Sequence, residues 1–215
     1  MSIGVAAVVI LTALGDGARR YVVGQFSSLG TNLVIVLPGR SGTGGFNPAN
    51  AITSTPRDLT IDDAAALLRA PGVRRVAPLA VGTSEISVAG RLREVMVAGT
   101  TASYFPIRSF ELGQGSALPE EDWGRGSSVA VIGNKIREEL FGSAPAIGQL
   151  VRVGDRRLRV VGVLKPVGQG LGMNTDELVI VPVSLAQALF NSNTLFRILI
   201  ESKSREAIPE SREQV

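Results

Sequence analysis

Apolar residues fall along this chain in three textures: one unbroken run, stripes at helical spacing, and short β-branched segments. The unbroken run is residues 3–14, which carry no charge. A helix rising about 1.5 Å per residue needs roughly 20 apolar residues to cross a hydrocarbon core, so this run cannot span one alone. Part of a membrane helix, a signal peptide and a buried core helix all fit it. Met1 and Ser2 supply no basic charge, which weakens the signal reading, although Ala13-Leu14-Gly15 suits a small-residue cleavage site. Ala18, Val22, Phe26 and Leu29 then recur at helical spacing with Arg19, Arg20 and Gln25 off the stripe, predicting that the helix continues to Gly30. LVIVL at 33–37, stopped by Pro38-Gly39, reads as a strand that follows almost directly.

Residues 39–58 are rich in Gly, Asn, Ser and Pro and read as a mobile surface loop. Thr60-Ile61-Asp62-Asp63 fits a capping box that opens a helix running to about Ala70, ended by Pro71-Gly72. VRRVAPLAV (73–81), TSEISV (83–88) and LREVMV (92–97) read as three strands, the last two joined by a tight turn at Ala89-Gly90. From about Thr100 the texture changes. Tyr104 and Phe105 precede a Gly-rich piece and an acidic turn at 119–122, then a strand at 129–132 and a helix at 135–141. A hairpin follows, 150–153 with 157–164 around Gly154-Asp155, and then the loop KPVGQGLGMNTDE, expected to be mobile over 165–177. A strand at 178–181, a helix opened by Ser184 and a strand at 195–201 complete the order.

The elements near the two ends echo one another as strand, helix, strand, whereas the middle has its own order. This predicts an α+β fold with a discontinuous first lobe, 31–99 plus 176–202, and an inserted, mainly β second lobe at 100–175. Residues 1–30, the apolar run and its helical continuation, precede it, and 203–215 leave it as a linker.

Composition narrows the function. With 215 residues, 45% of them hydrophobic, the chain can bury a real core. The net charge of +3 is spread over Arg19-Arg20, Arg74-Arg75 and Arg156-Arg157 without interleaved aromatic platforms, so nucleic-acid binding has little support and solvated faces explain the pairs. No cysteine removes disulfides and thiol catalysis; no histidine removes the usual neutral-pH acid or base.

Candidate chemistry is sparse. Gly168-Gln169-Gly170-Leu171-Gly172 lacks the Lys-Ser/Thr of a phosphate-cradling loop. Asp62-Asp63 and Glu120-Glu121-Asp122 sit at expected helix starts, where they complement the helix dipole. Trp123 reads as partly exposed packing. Leu171 and Met173, apolar residues in an otherwise polar loop, are the candidate partner contacts. No catalytic residue, metal ligand or cofactor site is assigned, and the chain is expected neither to bind nor to hydrolyse ATP.

Five segments in order carry a family resemblance. GVAAVVILTALGDGARRYVVGQFSSLGTNLVIVLPG, with Gly15-Asp16-Gly17-Ala18 and Ser28-Leu29-Gly30-Thr31-Asn32, resembles the end of the first transmembrane helix and the start of the periplasmic domain in MacB/FtsX-like ABC transporter permeases. LTIDDAAALLRAPGVRRVAPLAVG, VAGTTASYF, VAVIGNKIREELFGSAPAIGQLVRVGDRRLRVVGVL and LVIVPVSLAQALF resemble the MacB-type periplasmic core domain. The resemblance implies a permease with four transmembrane helices per subunit, working as a homodimer or heterodimer with a cytoplasmic ATP-binding subunit or fused domain. It implies a porter-like first lobe on the periplasmic or extracellular side of the cell membrane. It further implies coupling of ATP hydrolysis to long-range movement, termed mechanotransmission, with export or efflux through a periplasmic adaptor or cargo protein. On this reading 3–14 is the outer half of a first membrane helix, and the chain is a fragment of the permease. A secreted or anchored binding module is the alternative.

Overall fold

The computed structural model describes residues 32–38, 58–166 and 174–203. The apolar run 3–14 and its continuation to Leu29, the loop 39–57, the segment 167–173 with Leu171 and Met173, and residues 204–215 lie outside the described residues. No helix among the described residues is long and apolar enough to cross a membrane.

Strand β1 (Leu33–Val36) pairs antiparallel with the last strand, β9 (Arg197–Ser202), Leu33 lying opposite Glu201 and Val36 opposite Ile198. Helix α1 (Ile61–Leu68) starts where the capping pattern places it. The Asp63 amide donates to Thr60 Oγ1 at 3.3 Å, and the Thr60 amide donates back to Asp63 Oδ2 at 2.8 Å.

The expected strands at 73–81 and 83–88 are one 16-residue strand, β2 (Val73–Val88). Gly82 does not break it. A Cβ there would stand 2.5 Å from the Phe190 ring, so the missing side chain admits an aromatic side chain against the strand. At about 3.3 Å per residue β2 reaches roughly 50 Å, and it changes partner midway. Its first half pairs with β9 through Leu79, and Ala80 onward pairs with β3 (Arg91–Thr100). Near this handover the Thr100 hydroxyl donates to the Pro78 carbonyl at 2.8 Å. Ala89 and Gly90 close the β2–β3 hairpin, both with positive φ (48° and 83°), as a two-residue loop between right-twisted strands requires.

Tyr104 and Phe105 begin a one-turn helix, α2 (Tyr104–Ile107), that the sequence pattern did not announce. Then come β4 (Leu112–Gly115), β5 (Val129–Ile132), α3 (Asn134–Phe141), the hairpin β6 (Leu150–Val153) with β7 (Arg156–Leu164), a 3-10 turn at Thr175–Glu177, β8 (Leu178–Pro182) and α4 (Val183–Phe190). Ser184 does not open α4: Pro182 holds the N-cap position and Ser184 sits inside the first turn.

The nine strands of the described residues join in the order β1-β9-β2-β3-β8-β5-β7-β4, with β6 bridging β2 and β7. The β3–β8 and β5–β7 pairs are parallel and the rest antiparallel. Strand alternation sorts side chains to two faces. Val76, Val97, Val179, Ile198 and Ile200 face a core covered by α1, α3 and α4 through Ala64, Ile136 and Ala186. Ala77, Leu79, Ala98, Ile180 and Leu199 face the other core, which α2 covers with Tyr104, Phe105 and Ile107.

Candidate functional site

The geometry concentrates at the root of the sheet, where the first and last described strands lie side by side. The Ser202 amide donates to the Asn32 carbonyl at 2.9 Å, tying the start of β1 to the end of β9. On the other side of β9, the Lys203 amide donates to the Gly72 carbonyl at 2.8 Å, and the buried Ser202 hydroxyl reaches the same oxygen at 3.2 Å. Gly72 can present that carbonyl because it holds φ of 85°, a conformation that L side chains rarely adopt. Arg75 and Arg74 close on Glu201 at 2.7 and 3.3 Å. The paired arginines, read from sequence as a solvated face, therefore brace one carboxylate of β9. Only the fold could reveal this, since the partners are 126 and 127 positions apart.

A second concentration of charge frames the segment that holds Leu171 and Met173. Before it, Lys165 donates to Glu111 at 2.8 Å. After it, Glu177 meets Arg93 at 3.1 Å and also contacts Lys135, while Arg93 contacts Glu139. The Lys135 hydrogen bond, then that from Arg93, holds the Glu177 carboxyl below its ordinary range. Lys165 does the same to Glu111. Leu171 and Met173 themselves lie outside the described residues, but the chain on either side of them is anchored by ion pairs to β3, α3 and the turn before β4.

A groove of about 250 Å³ lies beside the end of β3 and the start of α4, lined by Thr101, Ser103, Glu121, Trp123 and Ser184. The acidic residues there do not sit at a helix start as expected. They build a turn: Asp122 Oδ1 accepts from the Gly124 amide at 3.0 Å, and Glu121 Oε1 from the Ser127 amide at 2.9 Å. Local side-chain to backbone bonding has won over helix initiation. Asp63 fills the capping role read for it. Trp123 is half-buried against the larger core, as its packing reading has it. Among the described residues no group of His, Cys, Asp or Glu is arranged to hold a metal ion. Glu121 and Asp122 of the groove are engaged in the turn, and Glu111, Glu139 and Glu177 of the charged frame in ion pairs.

The whole chain, residues 1–215, matches the family model of the MacB-like periplasmic core domain. It is 32% identical over 215 residues to the macrolide export ATP-binding/permease protein MacB of Bdellovibrio bacteriovorus, covering 99% of this chain and 33% of that protein. To MacB 1/2 of Paracoccus denitrificans it is 36% identical over 193 residues, 89% of this chain and 28% of that one. The chain thus spans a third or less of the length of these relatives. The periplasmic region of MacB from Actinobacillus actinomycetemcomitans has the same fold, with a TM-score of 0.70 at 20% identity over 86% of this chain and 82% of that one. With a family match over its full length and a sheet of the MacB periplasmic type, this chain belongs to the MacB-like periplasmic core domain family.

Proposed function

We propose that this domain relays movement between membrane helices and a periplasmic partner or cargo protein, within an ABC permease dimer driven by an ATP-binding subunit or domain. One observation carries the reading: β1 and β9, through which the described chain enters and leaves the sheet, are hydrogen-bonded neighbours, with β9 clamped to β2 through Gly72 and Glu201. Displacement arriving at Asn32 passes into the sheet without a slack segment. The relatives' names support an export role, and the domain's own part in it is mechanical rather than catalytic.

The division into a porter-like lobe (31–99 with 176–202) and an inserted lobe (100–175) belongs to this proposal. Its support is that β3 and β8, which flank the insert, pair directly from Met96–Leu178 to Thr100–Pro182. Leu171 and Met173 are proposed as the partner-facing tip of the insert, because the chain bracketing them is held by Lys165–Glu111 and Glu177–Arg93.

The test is a series of Gly/Ser insertions after Gly30 in the complete permease. Flexible residues there lengthen the lead into Asn32 and let its length fluctuate. Transport should fall with insertion length while ATP hydrolysis and adaptor or cargo binding persist. Unchanged transport across the series refutes the relay through β1.

A further inference from the structure

Several described arginines find an acceptor: Arg74, Arg75, Arg91, Arg93, Arg152 and Arg159 all bond to carboxylates or carbonyls. Arg108, Arg137 and Arg197 are among those that do not. Their Nε atoms are buried without a partner, and so is the hydroxyl of Tyr104, a residue with no exposed surface.

The fold brings Arg108, Arg197 and Tyr104 together. Arg108 caps the C-terminal end of α2, whose first residue is Tyr104, and α2 packs on β2 and β9. Arg197 opens β9 opposite Leu79, on the face that carries Leu79 and Leu199 and that α2 covers. Tyr104 meets Phe110 edge to face, the ring centroids 5.5 Å apart, and the Arg108 guanidinium lies 5.8 Å from the Phe110 centroid. The Arg197 guanidinium lies 5.3 Å from the centroid of Phe196. The three groups also sense one another. Burial raises the Tyr104 hydroxyl while Arg108 and Arg197 oppose that rise; burial lowers Arg197, and Arg108 adds repulsion.

Two half-buried guanidiniums near one another with no carboxylate between them are unfavourable, and aromatic faces compensate them only in part. Guanidinium N–H groups only donate, and the phenol beside them can donate as well. A cluster of charged and neutral donors with no internal carboxylate is complementary to an oxyanion, which guanidinium forks grip in bidentate fashion. We propose that Arg108, Arg197 and the Tyr104 hydroxyl form a receptor for an oxyanion, a carboxylate or a phosphate, on the α2 face of the sheet. Phe196 exposes 54% of its surface beside it, and Ile35, opposite Leu199 on the same face, exposes 46%. The receptor therefore has an apolar margin.

The 215-residue chain tests this directly. Its thermal midpoint is followed against inorganic phosphate or acetate at constant ionic strength, with chloride as the balancing salt. The midpoint of the unaltered chain should rise with at least one probe. A response to phosphate alone assigns a phosphate ligand, and a response to acetate alone a carboxylate. In Arg197→Gln and Arg108→Gln the probe concentration for an equal rise should increase about tenfold or more, the loss of one charge-assisted hydrogen bond. Tyr104→Phe, which keeps the ring, should show a smaller increase. Arg197→Lys keeps the charge and much of the stem, so it answers the same question if the glutamine variant does not fold, and its response should be weakened. No rise with either probe, or an equal rise in the unaltered chain and the arginine variants, overturns the proposal.

Discussion

Gly99 in β3 touches α4 more closely than any side chain would allow, and replacing it with alanine tests how the helix is seated. An added Cβ would lie 2.1 Å from the Ala186 Cβ. Carbon atoms pack at about 3.5–4.0 Å, so α4 would have to retreat by roughly 1.5 Å. Retreat loosens the buried Val183 and Ala186 and the Phe190 ring seated over Gly82. Overpacking of this kind costs about 3 kcal/mol for Gly99→Ala. Ala186→Gly alone costs about 1.5 kcal/mol, from lost helix propensity and one buried methyl. With the Ala186 methyl gone, the nearest remaining atoms to the new Cβ are the Val183 and Ala186 Cα at 3.4 and 3.5 Å, an ordinary contact. The double variant should therefore lie about 1.5 kcal/mol below the starting protein rather than the additive 4.5, a coupling of about 3 kcal/mol. Urea unfolding of the four proteins, with unchanged slopes, measures this. Additivity within about 0.5 kcal/mol would refute the contact as the cause.

Three further outcomes follow from other parts of the molecule. Thr60→Ala removes the Thr60 half of the capping box on α1 and should cost about 1 kcal/mol in the same urea assay. Glu177 has its carboxyl held below its ordinary 4.5, so its contribution is complete above that pH and is lost as pH falls through the lower folded value. Glu177→Gln should flatten that acid limb of the stability–pH curve, and an unaltered limb would count against the ion pair. Glu85 and Glu94 face each other directly across the β2–β3 hairpin, both exposed, so Glu85→Lys should raise stability by about 0.2–1 kcal/mol, an increment that shrinks with added salt.

Local signals were legible from the residues where the chain decides locally. The Thr60–Asp63 box, the Ala89-Gly90 turn and the Gly154-Asp155 hairpin all stand where short-range chemistry puts them. Misreadings arose where a distant residue decides. Gly82 reads as a break until Phe190 arrives over it from α4. The root was hidden for the same reason: nothing in Arg74-Arg75 alone points to a glutamate at the far end of the chain. The acidic turn is the local exception: it resembles a helix start, but nearby Gly124 and Ser127 donate to its carboxylates and close a turn instead. The cluster of Tyr104, Arg108 and Arg197 depends on α2, a single turn too short to leave a periodic pattern.

The neighbourhood of β1 and β9 sets how the domain answers tension. Leu33 opposes Glu201, so the chain's two leads emerge from the same end of an antiparallel pair. A force that draws the leads apart meets the β1–β9 bonds one rung at a time, like a zipper, and each rung resists alone. A force that draws both leads together, away from the body, loads the rungs between β9 and β2 from Val73–Ser202 to Leu79–Arg197 in parallel, as shear. The same few hydrogen bonds are weak against divergence and strong against a common pull. A domain built this way resists a concerted axial pull on its two leads more than it resists their divergence.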